Sequence, residues 1–99
     1  MDLPEPIDRF FRATDGATLA SAFAAHAVVH DEGETHRGPD AIRAWWQSGK
    51  DRYCHSTRPE AIDGTTVHAH VSGDFPGSPA RLRFAFVIED DLIARLEIK

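Results

Sequence analysis

Asp31, His68 and His70 are the residues of this chain best suited to acid/base chemistry. Asp31 ends a short run, Val28-Val29-His30-Asp31, and opens an acidic turn, Asp31-Glu32-Gly33-Glu34. A strand-end carboxylate partly enclosed by aromatic side chains loses hydration, which raises its proton affinity toward general-base duty. In the open, the same residue is only a solvated turn former. His68 and His70 stand two apart, so on a strand they share a face. Facing a cavity, they would pass protons near neutral pH or orient a polar ligand atom. Val67, Ala69 and Val71 alternate with them and compete, as an apolar set, for the inward side.

Two sharper chemistries find less support. A zinc site on His68 and His70 needs a third ligand from Asp31, His26, His30, His36 or His55. His30 and Asp31 are adjacent and face opposite ways on a strand, and no helical His-x-x-x-His is present. No metal and no other cofactor is expected. Cys54 would be a nucleophile only beside an activating histidine. Its neighbour His55 points away on a strand, so Cys54 reads as a small apolar residue.

These residues must be positioned by regular elements. Residues 4–14 predict a first helix, with Leu3, Ile7, Phe10 and Phe11 on one stripe. Asp15 can cap a second helix over 17–25, whose stripe is Leu19, Ala22 and Phe23. Short extended pieces at 28–31 and 35–37 follow. Gly38-Pro39-Asp40 then starts a third helix, 39–48, that Gly49 would close. On it Ile42, Trp45 and Trp46 share a face. After Lys50 the period changes to alternation. Strands are expected at 52–62, 65–74, 81–88 and 92–98. Asp63-Gly64, the 75–79 turn (Phe-Pro-Gly-Ser-Pro) and Glu89-Asp90-Asp91 separate them. Pro59 marks an edge strand or a bulge.

The order is α-α-β-β-α-β-β-β-β. Helices segregated from an antiparallel sheet predict an α+β fold, with the sheet curled around three N-terminal helices over a conical cavity. Trp45, Trp46, Phe10, Phe23, Phe84 and Leu96 are first of all core, because a chain of 99 residues needs them buried. A subset would line the cavity and bind a ligand.

The totals bound the function. One domain, residues 1–99, is expected. A net charge of −5 and dispersed arginines and lysines disfavour a nucleic-acid or acidic membrane surface. One cysteine fits a reducing, cytoplasmic setting. The acidic start is no signal peptide, and no apolar run approaches the ~20 residues of a membrane span.

The order, with Ala22-Phe-Ala-Ala-His-Ala-Val-Val-His-Asp31, His36-Arg-Gly-Pro-Asp-Ala-Ile-Arg-Ala-Trp-Trp46, Val71-Ser-Gly-Asp-Phe-Pro-Gly-Ser-Pro79 and the closing Ile93-Ala-Arg-Leu-Glu-Ile98, resembles the nuclear-transport-factor-2-like superfamily, especially its SnoaL-like branch. The resemblance covers essentially the whole chain. It implies a cone-shaped domain like those of steroid isomerases, polyketide cyclases, hydrolases and non-catalytic binding or assembly modules. It places the isomerases' general base at Asp31. It places their two hydrogen-bond donors, a first-helix Tyr and a protonated Asp on the penultimate strand, at Phe10 and Phe84. The cyclases' late-strand acid also falls at Phe84. Phenylalanine donates no hydrogen bond, so the largest stabilising contribution to an enolate is missing from those positions.

The expectation is therefore a small apolar ligand in an aromatic pocket with Asp31 as base, aided by His68 or His70. A non-catalytic carrier and a dimeric assembly module are the alternatives. A homodimer through the outer sheet face is expected, because Ala85 and Val87 make that face partly apolar opposite Phe84 and Phe86.

Overall fold

The computed structural model describes residues 2–53, 56–74 and 76–99. Cys54, His55 and the Phe75 start of the 75–79 turn lie outside the described residues. Two helices, α1 (Glu5–Arg12) and α2 (Gly16–Ser21), precede β1 (Phe23–Asp31) and β2 (Glu34–Arg37). A long helix α3 (Pro39–Tyr53) leads to the strands β3 (Ser56–Asp63), β4 (Thr66–Ser72), β5 (Ala80–Glu89) and β6 (Leu92–Ile98). The six strands form one sheet in the order β2-β1-β6-β5-β4-β3, curled around the helices. This is the α+β architecture expected.

Local chemistry explains the helix starts. In α1, ion pairs join Glu5 to Arg9 and Asp8 to Arg12, one turn apart, with acids early and bases late along the dipole. Asp15 caps α2 by accepting from the Thr18 N–H at 2.7 Å and the Thr18 hydroxyl at 3.0 Å. That backbone bond, then the hydroxyl, holds its carboxyl below the usual range. Gly16 lies close under α3: a Cβ there would lie 2.5 Å from the Arg43 Nε, so that side chain would have to move. Gly38, at φ +85°, turns the chain into α3, donating to the Ala27 carbonyl at 2.9 Å and accepting from Ile42 N at 3.0 Å.

Two boundaries differ from the sequence expectation. The second helix stops at Ser21, and Phe23-Ala24-Ala25 belong to β1. Alanine-rich sequence favours a helix, but the Ala22 carbonyl accepts from Ile93 N at 2.8 Å and Phe23 pairs with Ile93 of β6. A long-range partner overrides local propensity. Gly49 does not close α3, which runs on to Tyr53 with a Gln47–Asp51 bond at 3.0 Å one turn apart. A glycine inside a helix costs only about 1 kcal/mol.

The β1–β6 pair is parallel, and the other pairs are antiparallel. Pro59 lies on the edge strand β3, beside the register shift between Pro59 and Ala61. The turn after β5 puts Asp90 and Asp91 at φ 52° and 62°, the left-handed pair a tight hairpin needs. Ile7, Leu19, Ile42, Ile93 and Leu96 are fully buried between helices and sheet. Phe10 meets Phe23 and Phe86 edge-on, with ring centroids 6.0 and 5.6 Å apart.

Along β4, Val67, Ala69 and Val71 are buried and face the helices. His68 and His70 therefore occupy the outer sheet face. Four of the nine arginines, Arg58, Arg81, Arg83 and Arg95, lie there too. Arg58, His70 and Arg81 lie abreast on β3, β4 and β5, and His68 is paired with Arg83 in the next row.

Candidate functional site

The open end of the cone holds a cavity of about 680 Å³. Its floor is aromatic: Phe10 and Phe11 from α1, Trp45 and Trp46 from α3, and Phe84 from β5. Leu82, Val71 and Ile98 complete the sheet wall. Period-2 alternation sends Leu82 and Phe84 inward, and α3 presents both tryptophans to the same cavity.

Asp31 lies at the wall of this cavity. Its Oδ2 accepts a hydrogen bond from the Trp45 indole Nε1 at 3.0 Å. A helix residue thus fixes a carboxylate at a strand end, and a bond of that kind to a charged acceptor is worth about 1.5–3 kcal/mol when water is excluded. The same tryptophan ring lies against His36, with centroids 5.9 Å apart and planes tilted by 34°. His36 Nε2 is 3.7 Å from the Glu34 carboxylate. Asp31, Glu34 and His36 all line the cavity. The tight β1–β2 turn explains this. Glu32 and Gly33 both take positive φ, so Asp31 pairs with Glu34 and Val29 with His36. Residues opposite each other across two strands share a face, which puts Asp31, Glu34 and His36 together.

Arg12 and Lys50 contribute cationic groups to the lining, and the Lys50 ammonium sits 5.0 Å over the Trp46 ring. Asp31, Glu32 and Glu34 contribute the anionic ones. Among the described residues, no group of three His, Cys, Asp or Glu side chains is disposed to hold a metal ion.

The expected site residues divide into three sets. Asp31, Phe10, Trp45, Trp46 and Phe84 come together around the cavity. Phe23 and Leu96 pack into the core beneath it, 5% and 0% exposed, and do not line it. His68 and His70 sit on the far side of the sheet, because the apolar alternation of β4 claims the inner face. They do not reach Asp31 through the sheet. The sequence alone offers His36 only as a metal ligand. The signal that finds it is the Glu32-Gly33 pair, which sets a two-residue hairpin and hence the register.

The SnoaL-like domain family matches residues 7–96 of this chain. Among solved structures, the chain is similar to a candidate polyketide cyclase from Sinorhizobium meliloti, with 43% identity and a TM-score of 0.93, over 100% of this chain and 97% of that one. It is similar to a Catenulispora acidiphila protein of ketosteroid isomerase-like fold solved in complex with trimethylamine, with 18% identity and a TM-score of 0.81, over 99% and 86% of the two chains. It is also similar to a computationally designed 17-OHP binder, with 16% identity and a TM-score of 0.72, over 95% and 85%. The last two likenesses show the fold alone. Among curated proteins, none matches the chain.

Proposed function

This chain belongs to the SnoaL-like domain family, and we propose that within it the protein is a small-molecule pocket protein whose Asp31 exchanges protons with a small apolar ligand. The family includes polyketide cyclases and ketosteroid isomerases. The reaction proposed is of the isomerase, cyclase or hydrolase class. One observation carries this reading: a carboxylate held by an indole N–H stands at the wall of a roughly 680 Å³ aromatic cavity. The volume falls within the roughly 300–1,000 Å³ of small-molecule sites. Partial enclosure strengthens the electrostatics of any proton transfer there. A cytoplasmic setting fits the single cysteine.

The test is binding of a panel of flat lipophiles, followed by calorimetry, to the wild type and to Asp31→Asn. Micromolar binding of a hydroxylated or keto member, weakened about tenfold by Asp31→Asn, is the expected result. Equal binding to both proteins, or none, defeats it.

A carrier without catalysis is the second reading. It is favoured by Phe10 and Phe84, apolar where the isomerase branch has its hydrogen-bond donors. It predicts tight binding that Asp31→Asn leaves unchanged.

We further propose a homodimer through the outer sheet face, the interface that an assembly module would also need. Val87, 48% exposed, is the one exposed large hydrophobic among the described residues, with Ala85 beside it along β5 and Val28 beyond Arg95 on the same face. The partner copy would bring carboxylates such as Glu60 and Glu97 to the arginine rows. Val87→Lys is expected to yield monomers in sedimentation equilibrium. A wild type that is monomeric at high micromolar concentration rules the dimer out.

A further inference from the structure

We infer that His36 is the second proton-exchanging residue of the cavity and supplies the hydrogen-bond donor that Phe10 and Phe84 do not. This rests on the reading of Asp31 as the base. Three observations support it. His36 lies diagonally across the β1–β2 ladder from Asp31, on the same face, a spacing of about 7 Å between Cβ atoms. Both line the same cavity. One residue, Trp45, positions both, through its N–H to Asp31 and its ring face against His36.

His36 is built to stay put. Its side chain is only 20% exposed, with Glu34 3.7 Å from Nε2 on one side and the indole on the other. The other charged groups of the lining are Asp31 and Glu32 from the β1–β2 hairpin, Arg12 from α1 and Lys50 from α3. Among the described residues, the Trp45 ring and the Glu34 carboxylate flank the imidazole, and these orient it. The spacing of the two groups suits a flat, apolar ring compound with an acidic C–H or O–H and a carbonyl oxygen a few bonds away.

The step balances as a tautomerisation. Asp31 carboxylate takes the proton from the carbon beside the carbonyl. The electron pair of that C–H bond moves into the ring–oxygen system, and the His36 imidazolium gives a proton to the oxygen. The enol forms with Asp31 protonated and His36 neutral. The reverse transfers return a ketone, and water at the open mouth restores both groups. Trp45 acts as a positioning residue.

The experiment uses 2-tetralone as the probe and follows deuterium exchange of its ring protons beside the carbonyl in D2O by proton NMR, across pH 5–8. Wild type is expected to accelerate exchange, with a pH-dependent limb. Asp31→Asn is expected to remove the acceleration. His36→Gln is expected to slow exchange by about 100-fold, in line with loss of one acid/base group, and to flatten the limb. Tetralone affinity, read by tryptophan fluorescence, is expected to stay within about threefold. The exposed edge of His36 makes His36→Asn an equally tolerated second variant. If His36→Gln and His36→Asn exchange at the wild-type rate with the wild-type pH profile while Asp31→Asn is slow, the His36 inference fails and the Asp31 reading stands. If wild type gives no acceleration, or Asp31→Asn equals wild type, both fail.

Discussion

The two faces of strands β4, β5 and β6 come from the same residues in alternation, yet they differ in kind. Inward stand Val67, Ala69, Val71, Phe84, Phe86 and Leu96, all buried. Outward stand His68, His70, Arg81, Arg83, Arg95 and Glu97, with Ala85 and Val87 among them. The inner face obeys burial: apolar area removed from water dominates, and each position carries several contacts. The outer face is mostly polar and charged. Arg58 and Arg81 flank His70 across the strands, and Glu60, 3.4 Å from Arg81, and Glu97, 3.2 Å from Arg95, offset part of that positive charge. In a chain of net charge −5, that concentration of cations is not a composition effect. The inner face makes the fold and the pocket floor, while the outer face carries charge.

The sharpest way to break this contrast is a matched pair of truncations. Phe86→Ala, on the inner face, is expected to lower unfolding free energy by about 3–5 kcal/mol in urea titrations, through lost transfer and a residual cavity. Val87→Ala, one residue on and outward, is expected to stay within about 0.5 kcal/mol, measured under monomeric conditions. Similar losses at both positions would erase the distinction between the faces.

On α3, across the cavity from the inner face, Trp45→Phe separates the site from the core. It removes the N–H to Asp31 but keeps a ring against His36. Tetralone exchange is expected to fall about tenfold, with stability reduced by about 1 kcal/mol. A variant that exchanges as fast as wild type would show that the indole bond does not position the carboxylate.

The smallest effect lies away from the sheet, at the α2 cap. Asp15→Ala is expected to lower Tm by a few degrees at neutral pH through loss of the cap. The Asp15 carboxyl is held below its ordinary value by Thr18. Its contribution is therefore complete above the unfolded carboxyl's range and lost as pH falls through the lowered folded value. The Tm gap between wild type and variant should close on acidification below about pH 4, as thermal melts would show. A gap that widens in acid contradicts the sign. Glu97 is lowered in the same sense, first by its bond from Lys99 and then by Arg95, so salt should blunt its share.

Much of the frame was legible in the chain. Alternation and turn chemistry set β4, β5 and β6, and 92–98 was placed to the residue. The Asp15 cap and the edge position of Pro59 follow from local rules, and so does a two-residue hairpin near Gly64, although its loop is Gly64-Thr65 rather than Asp63-Gly64, because Asp63 still pairs with Thr66. Half of the site was legible as well, because Asp31 ends a strand and Trp45 and Trp46 share a helix face with Ile42. The fate of 23–25 was not, since it depends on Ile93, some 70 residues on. Nor was the end of α3, where a glycine's small penalty was outweighed by continuing packing.

The sequence by itself determined which residues alternate, where the chain turns and which short elements are helical, because those depend on neighbours within a few positions. It also determined the absence of hydrogen-bond donors at Phe10 and Phe84. Only the tertiary structure decided that β1 lies beside β6, that Asp31 meets Trp45, that His36 rather than His68 or His70 shares the cavity, and that dispersed arginines form rows. Each of these brings together residues distant in the chain, or chooses one face of a strand over the other. That choice follows from which face the helices cover.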